Sequence, residues 1–298
     1  MRMLDNNIIN RLENISDLPT IPVVLSEVLD MLNKEEVKSK DLVEAIERDP
    51  MLTTKILRVA NSPYYGFSRK ISTVELAIAL IGMNTIKEIA IGLMVKKIFL
   101  EKSFMSIDVK EYWKYLLFSA VATKYFAAKL EYRPIGEAFV TGLMHDIGIL
   151  IIQSYFRDES KKIIISVSTD DNKSLIDAEN QTLDTNHAEI GAWLAEKWNL
   201  PKKMCEAIKN HHYDFRNTSD NDLVSDQPLT TAVSLSEYFA DLMGFMDWNP
   251  AEKQSKLFIG EEVFKNSGDG LLDKESTIQK IKQDLLIEFD KIELLNII

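Results

Sequence analysis

The sequence contains little cysteine, glycine or proline. Its 298 residues include one Cys, 11 Gly and 8 Pro. The single cysteine, Cys205, excludes an intrachain disulfide and fits a reducing compartment. Few glycines and prolines, together with few alternating β-branched runs, favour helices over strands and tight turns. The sequence therefore predicts an all-α protein.

Positive charge and long hydrophobic runs are also scarce. The chain has 35 Lys and Arg against 46 Asp and Glu, for a formal net charge of −11. Such an acidic chain repels phosphate backbones and anionic lipids, so neither nucleic-acid nor membrane binding is expected. The most apolar stretches, ELAIALIG and GILII, are too short to span a bilayer, and the N-terminus is too polar for a secretory signal. We therefore expect a cytoplasmic protein.

Apolar residues recur at helical spacing along most of the chain. A polar segment near 101–108 interrupts this pattern and suggests a seam between two helical units. We predict an N-terminal helical part over residues 15–105, a second helical subdomain over 106–245, and a helical C-terminal extension over 246–298.

Histidine is rare, and no histidine precedes residue 145. The four histidines are His145, His187, His211 and His212. His145 lies beside Asp146 in the apolar run LMHDIGIL, where an unpaired charge would be costly to bury. The periodicity predicts one helix from Pro134 to about Tyr155. Adjacent side chains on a helix diverge by about 100°, so the doublet would have to flank a bound ion from two sides.

The order of the motifs resembles a known family. The HD doublet, then HAEIGAWLAEKWNLP, then AIKNHH are similar to the HD superfamily of metal-dependent phosphohydrolases. The segments LPTIPVVLSEVLDML, IERDPMLTTKILRVANSPYYG and ISTVELAIALIGMNTIKEIAIG narrow the resemblance to the HDOD domain, the HD-related output domain of bacterial signalling proteins. The resemblance covers roughly residues 15 to 245. It implies a multi-helical HD-like fold in a stand-alone HDOD protein, since no receiver, GGDEF or EAL domain is visible.

The resemblance also implies which residues would bind metal. Its catalytic branch, the HD-GYP phosphodiesterases, hydrolyses cyclic dinucleotides with bound metal ions. The positions that keep a ligand-type side chain are His145, Asp146, His187, His211, His212 and Glu237. Imidazole and carboxylate together suit Fe, Mn or Zn, and this set would suffice for one divalent ion. The alternative is a metal-free cluster whose members hydrogen-bond to one another.

Other positions depart from the catalytic pattern. Glu111 keeps the first glutamate, but Tyr115 stands where a histidine is expected, and a phenol is a much poorer ligand. Ile149 replaces a lysine that would hold phosphate charge, and HHYDFRNTSDND stands in place of the GYP motif. Phosphodiester hydrolysis needs a metal-bound hydroxide, a cation facing the phosphate and room for the substrate. The departures therefore argue against cyclic-dinucleotide hydrolysis.

Three functional hypotheses follow. The first is a non-enzymatic, catalytically degenerate signal-transduction module that acts through contacts with an unidentified signalling protein. The second is a metal-dependent phosphohydrolase, of phosphodiesterase or nucleotidase type, with a reduced one-metal site. The third is a sensor, in which a metal or small ligand in the vestigial pocket shifts the packing of the two subdomains.

Two elements are candidates for contacts with partners. The loop NSPYYG consists of Asn61, Ser62, Pro63, Tyr64, Tyr65 and Gly66. Its two tyrosines in a turn are typical either of a docking surface or of a structural corner, in which Asn and Ser cap the preceding helix. The C-terminal DLLIEFDKIELLNII has an apolar face that suits dimerisation or packing on the parent domain, so a homodimer is one expectation.

Overall fold

The fold was analysed in a computed structural model. It describes residues 6–16, 18–32, 34, 36–100, 108–170, 173–212, 227–246, 274–290 and 292–293. Every regular element within these ranges is a helix, which confirms the predicted all-α fold. The predicted seam, apart from its last residue, and much of the predicted C-terminal extension lie outside the described residues, so the predicted subdomain boundaries stay predictions.

The N-terminal part is a group of helices, most of which contact α6. Their bounds are α1 Asn6–Glu13, α2 Val23–Asp30, α3 Ser39–Glu47, α4 Pro50–Ala60, α5 Val74–Ile81 and α6 Met83–Leu100. The start of α4 follows from its sequence, because Asp49 accepts hydrogen bonds from the amides of Met51 and Leu52. Pro50 occupies the first turn, where its missing N–H is no loss. Helices α2, α4 and α5 all contact α6.

The second group of helices begins with the long core helix α7. The bounds are α7 Val109–Lys129, α8 Ile135–Met144, α9 Ile147–Tyr155, α10 Arg157–Ser168, α11 Leu175–Leu183, α12 His187–Lys197, α13 Lys202–Asn210, α14 Pro228–Leu242 and α15 Lys274–Asp290. Helix α7 packs against α8, α14 and α15. It is a core helix, and Tyr112, Tyr115 and Phe118 on it are all fully buried. The same helix therefore reaches both the HD region and the C-terminal helix.

The HD doublet interrupts the predicted helix from Pro134 to Tyr155. Helix α8 ends at Met144 and α9 begins at Ile147. The Tyr112 hydroxyl donates a hydrogen bond to the backbone oxygen of Asp146 at 2.8 Å, which satisfies a carbonyl at the break. The prediction of one continuous helix is therefore wrong. Because the chain turns at the doublet, both side chains can face one point.

The segment Ile135–Tyr155 has the length and composition of a membrane span. The mean hydropathy of its apolar window is 1.6. In the sequence the HD doublet divides this segment into two shorter apolar runs, so it was not predicted as a span. However, 89% of the apolar window is buried inside the fold. Two consecutive core helices also produce an apolar run of this length, because their side chains are buried by the rest of the protein instead of by a bilayer.

The NSPYYG loop forms a corner after α4. The Asn61 side-chain amide donates to the backbone oxygens of Leu57 and Ile71 at 2.7 and 2.8 Å, and its oxygen accepts from the Ile71 amide at 2.8 Å. These bonds cap α4 and link Asn61 to the segment that follows the loop. Tyr64 remains 45% exposed. The corner interpretation fits this geometry, and a docking role of the loop stays a prediction.

Cys205 is expected to be chemically inert in the folded protein. Its side chain is buried on α13, and burial, aided by the charge of Glu196, raises the pKa of the thiol to about 11. At pH 8 only about 0.1% of the thiol would be ionised, and the thiolate is the reactive form. Titration with a disulfide reagent at pH 8 should show less than about 0.1 reactive thiol per native chain and about one in denaturant. Rapid reaction of the native protein would contradict this placement.

Candidate metal centre

Five helix termini or faces converge on the HD doublet. His145 and Asp146 form the turn between α8 and α9, and His187 is the first residue of α12. His211 and His212 follow α13 directly, and Glu237 lies on α14. His145, Asp146, His187 and His211 are fully buried, and Glu237 is 1% exposed. The structure thus brings together in one interior cluster the residues that the resemblance implied as ligands.

Three histidines are held by one ring nitrogen and present the other to the cluster. The Nδ1 atom of His145 donates to the Gly142 oxygen at 2.8 Å, and Nδ1 of His211 donates to the Ile208 oxygen at 2.6 Å. Nδ1 of His187 lies 2.7 Å from a Glu179 carboxylate oxygen. Metal-binding histidines are commonly oriented in this way by a carbonyl or carboxylate on the far nitrogen. The three Nε2 atoms therefore point into the cluster, where a metal ion could meet them.

Asp146 lies at the centre of these Nε2 atoms. Its Oδ1 is 3.2 Å from His211 Nε2 and 3.4 Å from His187 Nε2, and its Oδ2 is 3.3 Å from His145 Nε2. The carboxylate of Glu237 faces the same region, with Oε1 3.7 Å from His145 Nε2 and 3.6 Å from His211 Nε2. One carboxylate therefore touches three imidazoles, and a second approaches them from α14.

The start of α12 explains how His187 is positioned. Asn186 caps the helix by accepting a hydrogen bond from the Glu189 amide at 3.0 Å. The amide of His187, which has no partner within the helix, donates instead to Glu179 at 2.9 Å. Glu179 therefore holds both the backbone and the ring of His187, and it fixes the direction in which Nε2 points.

Tyr115 fills the place next to the doublet. Its hydroxyl lies 2.9 Å from His145 Nε2 and 2.7 Å from Asp146 Oδ2. A phenol at this point bridges two candidate ligands by hydrogen bonds. A histidine here would instead add a ring nitrogen to those of His145 and His211 as a metal ligand. The other two positions compared with the catalytic pattern lie apart from this bridge. Glu111, which keeps the glutamate, is exposed in the first turn of α7, and Ile149, which replaces the lysine, is a buried apolar residue of α9.

The electrostatics of the cluster favour an ionised Asp146 and a protonated His187 in the absence of metal. Burial alone would raise the pKa of Asp146, but the neighbouring imidazoles of His145, His187 and His211 outweigh it and hold this pKa well below its usual range. Burial alone would lower the pKa of His187, but the carboxylates of Glu179 and Asp146 raise it well above its usual range. The two groups therefore form a buried ion pair.

The double histidine is held neutral. Burial lowers the pKa of His211 to about 4, although Asp146 acts in the opposite direction. Burial and the neighbouring His211 and His187 rings lower the pKa of His212 well below its usual range. The Nε2 atoms of His187 and His212 are 2.8 Å apart, so the protonated ring of His187 donates to the neutral ring of His212. Neutral imidazoles are the form that binds metal.

Two buried polar atoms indicate that the cluster suits a cation. Asp146 Oδ1 and His211 Nε2 are buried without a hydrogen-bond partner, although they lie 3.2 Å apart. Their lone pairs would both be satisfied by a metal ion, because carboxylate oxygen and imidazole nitrogen are its natural ligands. The candidate ligand atoms form two overlapping sets, and within each set all atoms lie within 4.8 Å of one another. They are Asp146, His187, His211 and His212, and His145, Asp146, His211 and Glu237.

The residues that support the ligands were not predictable from motifs in the sequence. Glu179 lies eight positions before His187 on another helix, and no known motif has a glutamate at this spacing that would indicate the contact. Gly148 on α9 packs so closely on α12 that a Cβ would overlap the carbonyl oxygen of His187. A glycine after an HD pair could have suggested close packing of a backbone, but only the fold shows which backbone it meets.

Comparison with known proteins assigns the family. A profile of the HDOD domain matches residues 18–213, and the chain belongs to the HDOD family. A curated protein of Treponema pallidum (strain Nichols), described as uncharacterised, is 25% identical over 205 residues. The match covers 67% of this chain but 38% of that protein, so the chain spans less than half the length of this relative.

Two solved structures share the fold. A crystal structure of an HDOD domain protein of unknown function from Geobacter sulfurreducens superposes with a TM-score of 0.75, at 19% identity, over 97% of this chain and 99% of that one. A protein from Shewanella amazonensis SB2B named as a phosphohydrolase gives a TM-score of 0.68, at 22% identity, over 94% and 97%. These likenesses confirm the predicted HD-like fold.

Proposed function

We propose that this HDOD protein is a catalytically degenerate signal-transduction module that acts through contacts with a protein partner in the cytoplasm. The observation that carries the proposal is the enclosure of the HD centre. Four of its candidate ligand residues are fully buried, the side chain of His212 is 20% exposed, and the Tyr115 hydroxyl bridges two of the buried residues. Hydrolysis needs a metal with an open position for water and substrate. A closed centre instead suits a site that stabilises one arrangement of helices.

The same proposal assigns one divalent ion, Fe, Mn or Zn, to the centre. The oriented Nε2 atoms and the two buried atoms without hydrogen-bond partners support this assignment. Asp146 and His211 would hold the ion, together with His187 and His212 in one set or with His145 and Glu237 in the other. A bound divalent ion would supply positive charge to the carboxylates and link the helices that carry them.

A metal-dependent phosphohydrolase is the alternative function. The observation that favours it is the overlap of the two sets of ligand atoms, which share Asp146 and His211. A carboxylate common to two metal positions is the arrangement of two-metal hydrolases. The loss of a histidine at Tyr115 removes a nitrogen ligand beside one of these positions, so the alternative requires activity with a reduced set.

Metal content per chain, together with turnover, tests the proposal. Purified without chelator, the protein should carry about one Fe, Mn or Zn per chain. Asp146→Ala should lose it, because Asp146 touches three of the imidazoles. Asp158→Ala is the matched control, since Asp158 is exposed on α10, and it should keep the metal.

The turnover assay decides between the two functions. The metal-loaded protein should not hydrolyse cyclic dinucleotides, nucleotides or phosphomonoesters above the background of Asp146→Ala. Robust turnover that disappears in Asp146→Ala would overturn the degenerate assignment in favour of the hydrolase. Metal-free protein that cannot be loaded by Fe, Mn or Zn would overturn the metal assignment and leave a hydrogen-bonded cluster.

A further inference from the structure

A cavity separate from the HD centre lies where the N-terminal helices, α7, α8 and α15 meet. Its volume is about 630 Å³, which is in the range that holds a small organic ligand. Its apolar walls include Ile89 of α6, Val121 of α7 and Ile135 at the start of α8. Tyr64 and Ile287 also line it and are 45% and 59% exposed, so the cavity reaches the surface.

The charged groups of the cavity are mainly negative. Among the described residues that line it, Glu88, Asp284 and Glu288 are acidic and Lys124 alone is basic. The ammonium of Lys124 already lies 2.6 Å from a carboxylate oxygen of Glu88. An anionic ligand would therefore meet two further carboxylates and a lysine that is already paired, which disfavours it.

Two titratable residues of the cavity are affected by its acidic groups. Burial raises the pKa of the Glu88 carboxyl; Lys124 and Lys87 oppose this shift, and the charge of Glu288 adds to it. Burial raises the pKa of Tyr65 to about 12, and the charges of Tyr64 and Glu88 contribute to this shift. Acidic groups from α6 and α15 therefore act on one another across the cavity, and a positive charge between them would relieve their repulsion.

Aromatic rings are the second feature of the cavity. Tyr64 and Tyr65 contact each other edge to face, with ring centroids 5.0 Å apart. Tyr125 donates a hydrogen bond to Asp284 at 2.9 Å, which places an aromatic ring and a carboxylate side by side. The same ring already receives the ammonium of Lys129 at 5.6 Å, outside the cavity lining. Tyrosine rings beside carboxylates are the surroundings that organic cations prefer.

We propose that this cavity binds a small organic cation, an amine carried on an apolar body. The aliphatic walls would take the hydrocarbon, and the tyrosines with Asp284 and Glu288 would take the ammonium group. The site is independent of the HD centre and of any metal there. A bound ligand would link α15 and the N-terminal helices to α7 and α8. Helix α7 also carries Tyr115, and α8 ends directly before His145.

The proposal is tested with three probes that share one hydrocarbon and differ in charge. These are 4-phenylbutylamine, 4-phenylbutanol and 4-phenylbutyrate, with binding measured by calorimetry on the full chain at pH 7. The ammonium probe should bind at least about ten times more tightly than the alcohol, and the carboxylate should bind most weakly. A preference for the alcohol or the carboxylate, or no binding of the amine up to millimolar concentration, would overturn the proposal.

Variants locate the binding. Ala128→Phe fills the cavity from an exposed lining position and should weaken binding of the amine at least about tenfold without harming the core. Asp284→Asn removes a lining charge and should weaken it about tenfold. Asp290→Asn removes the same charge from the same helix outside the lining, and it should leave affinity unchanged. Equal loss in both asparagine variants, or full binding by Ala128→Phe, would show general attraction to an acidic surface and overturn the site.

Discussion

Removal of metal from the HD centre is expected to lower the midpoint of thermal unfolding by about 10 °C. A ligand that binds only the folded state stabilises it by about 4 kcal/mol when its free concentration is about 1,000 times its Kd. For a chain of this size, about 1 kcal/mol corresponds to about 2–4 °C in the midpoint. The measurement is calorimetry of the metal-loaded protein before and after dialysis against a chelator.

The control is Asp146→Ala, whose midpoint should not respond to the chelator. Asp158→Ala should lose as much on chelation as the unmodified protein, because Asp158 is exposed on another helix. A loaded protein whose midpoint stays within about 1 °C after its metal is removed would contradict a stabilising role of the ion.

The pH dependence of metal uptake follows from His187. Its folded-state pKa is raised well above 6.5 by Glu179 and Asp146, so the metal-free ring is protonated at neutral pH. The stabilisation from this proton is fully present below the unfolded pKa and is lost as pH rises through the folded pKa. A metal ion must displace the proton. Uptake should therefore release about one proton at pH 7, and apparent affinity should fall as pH falls. Calorimetry in buffers of different ionisation enthalpy measures the proton count, and a count of zero would contradict a protonated His187.

Gly148→Ala is expected to cost about 3–5 kcal/mol in the free energy of unfolding, or to prevent folding. A Cβ at this position would overlap the carbonyl oxygen of His187 and lie 2.7 Å from its carbonyl carbon. These are backbone atoms at the start of α12, so relief requires the two helices to separate. Separation would also move His187 away from Asp146, and metal content should fall with stability. Urea denaturation measures the first effect, and metal analysis of the soluble fraction measures the second.

Gly191→Ala provides the matched control on α12. The contacts of a Cβ there begin at 3.2 Å, with a methyl group of Ile208. A small side-chain movement can relieve this contact, and alanine is the better helix former, so the change in stability should stay within about 1 kcal/mol. A Gly148→Ala protein as stable as Gly191→Ala would mean that α9 and α12 are not packed as described.

Much of the fold could be predicted from the sequence, because helical periodicity and capping are local. Asp49 before Pro50 is such a local signal for the start of a helix, and α4 begins at Pro50. The break at His145 and Asp146 could not be predicted in this way. Its apolar surroundings continue the helical pattern on both sides, and a tertiary bond from Tyr112 to the Asp146 carbonyl stabilises the break. The number of helices that meet at the doublet follows from packing alone.

The chemistry of the site was only partly accessible to sequence reasoning. Scarce histidines in recognisable motifs indicated the ligand set, and the geometry gathers those residues in one cluster. The role of Tyr115 was visible only as a missing histidine, whereas the structure gives its hydroxyl two hydrogen bonds. Glu179 was invisible, since a single glutamate eight residues before a histidine has no meaning until α11 and α12 pack together. The cavity at Asp284 likewise depends on helices far apart in the chain.

The candidate ligands of the HD centre lie far apart along the chain, so a metal ion bound to them would cross-link distant segments. Asp146 and Glu237 are separated by about 90 residues, and an ion held by both would join these two distant segments in the folded chain. A disulfide that closes a loop of that length contributes about 4.6 kcal/mol, because it also restricts the unfolded chain. This chain has one cysteine and no such bond within itself. A metal ion would thus supply a reversible cross-link where an intrachain disulfide is impossible. Acid or a chelator would break this cross-link, whereas a reductant would not.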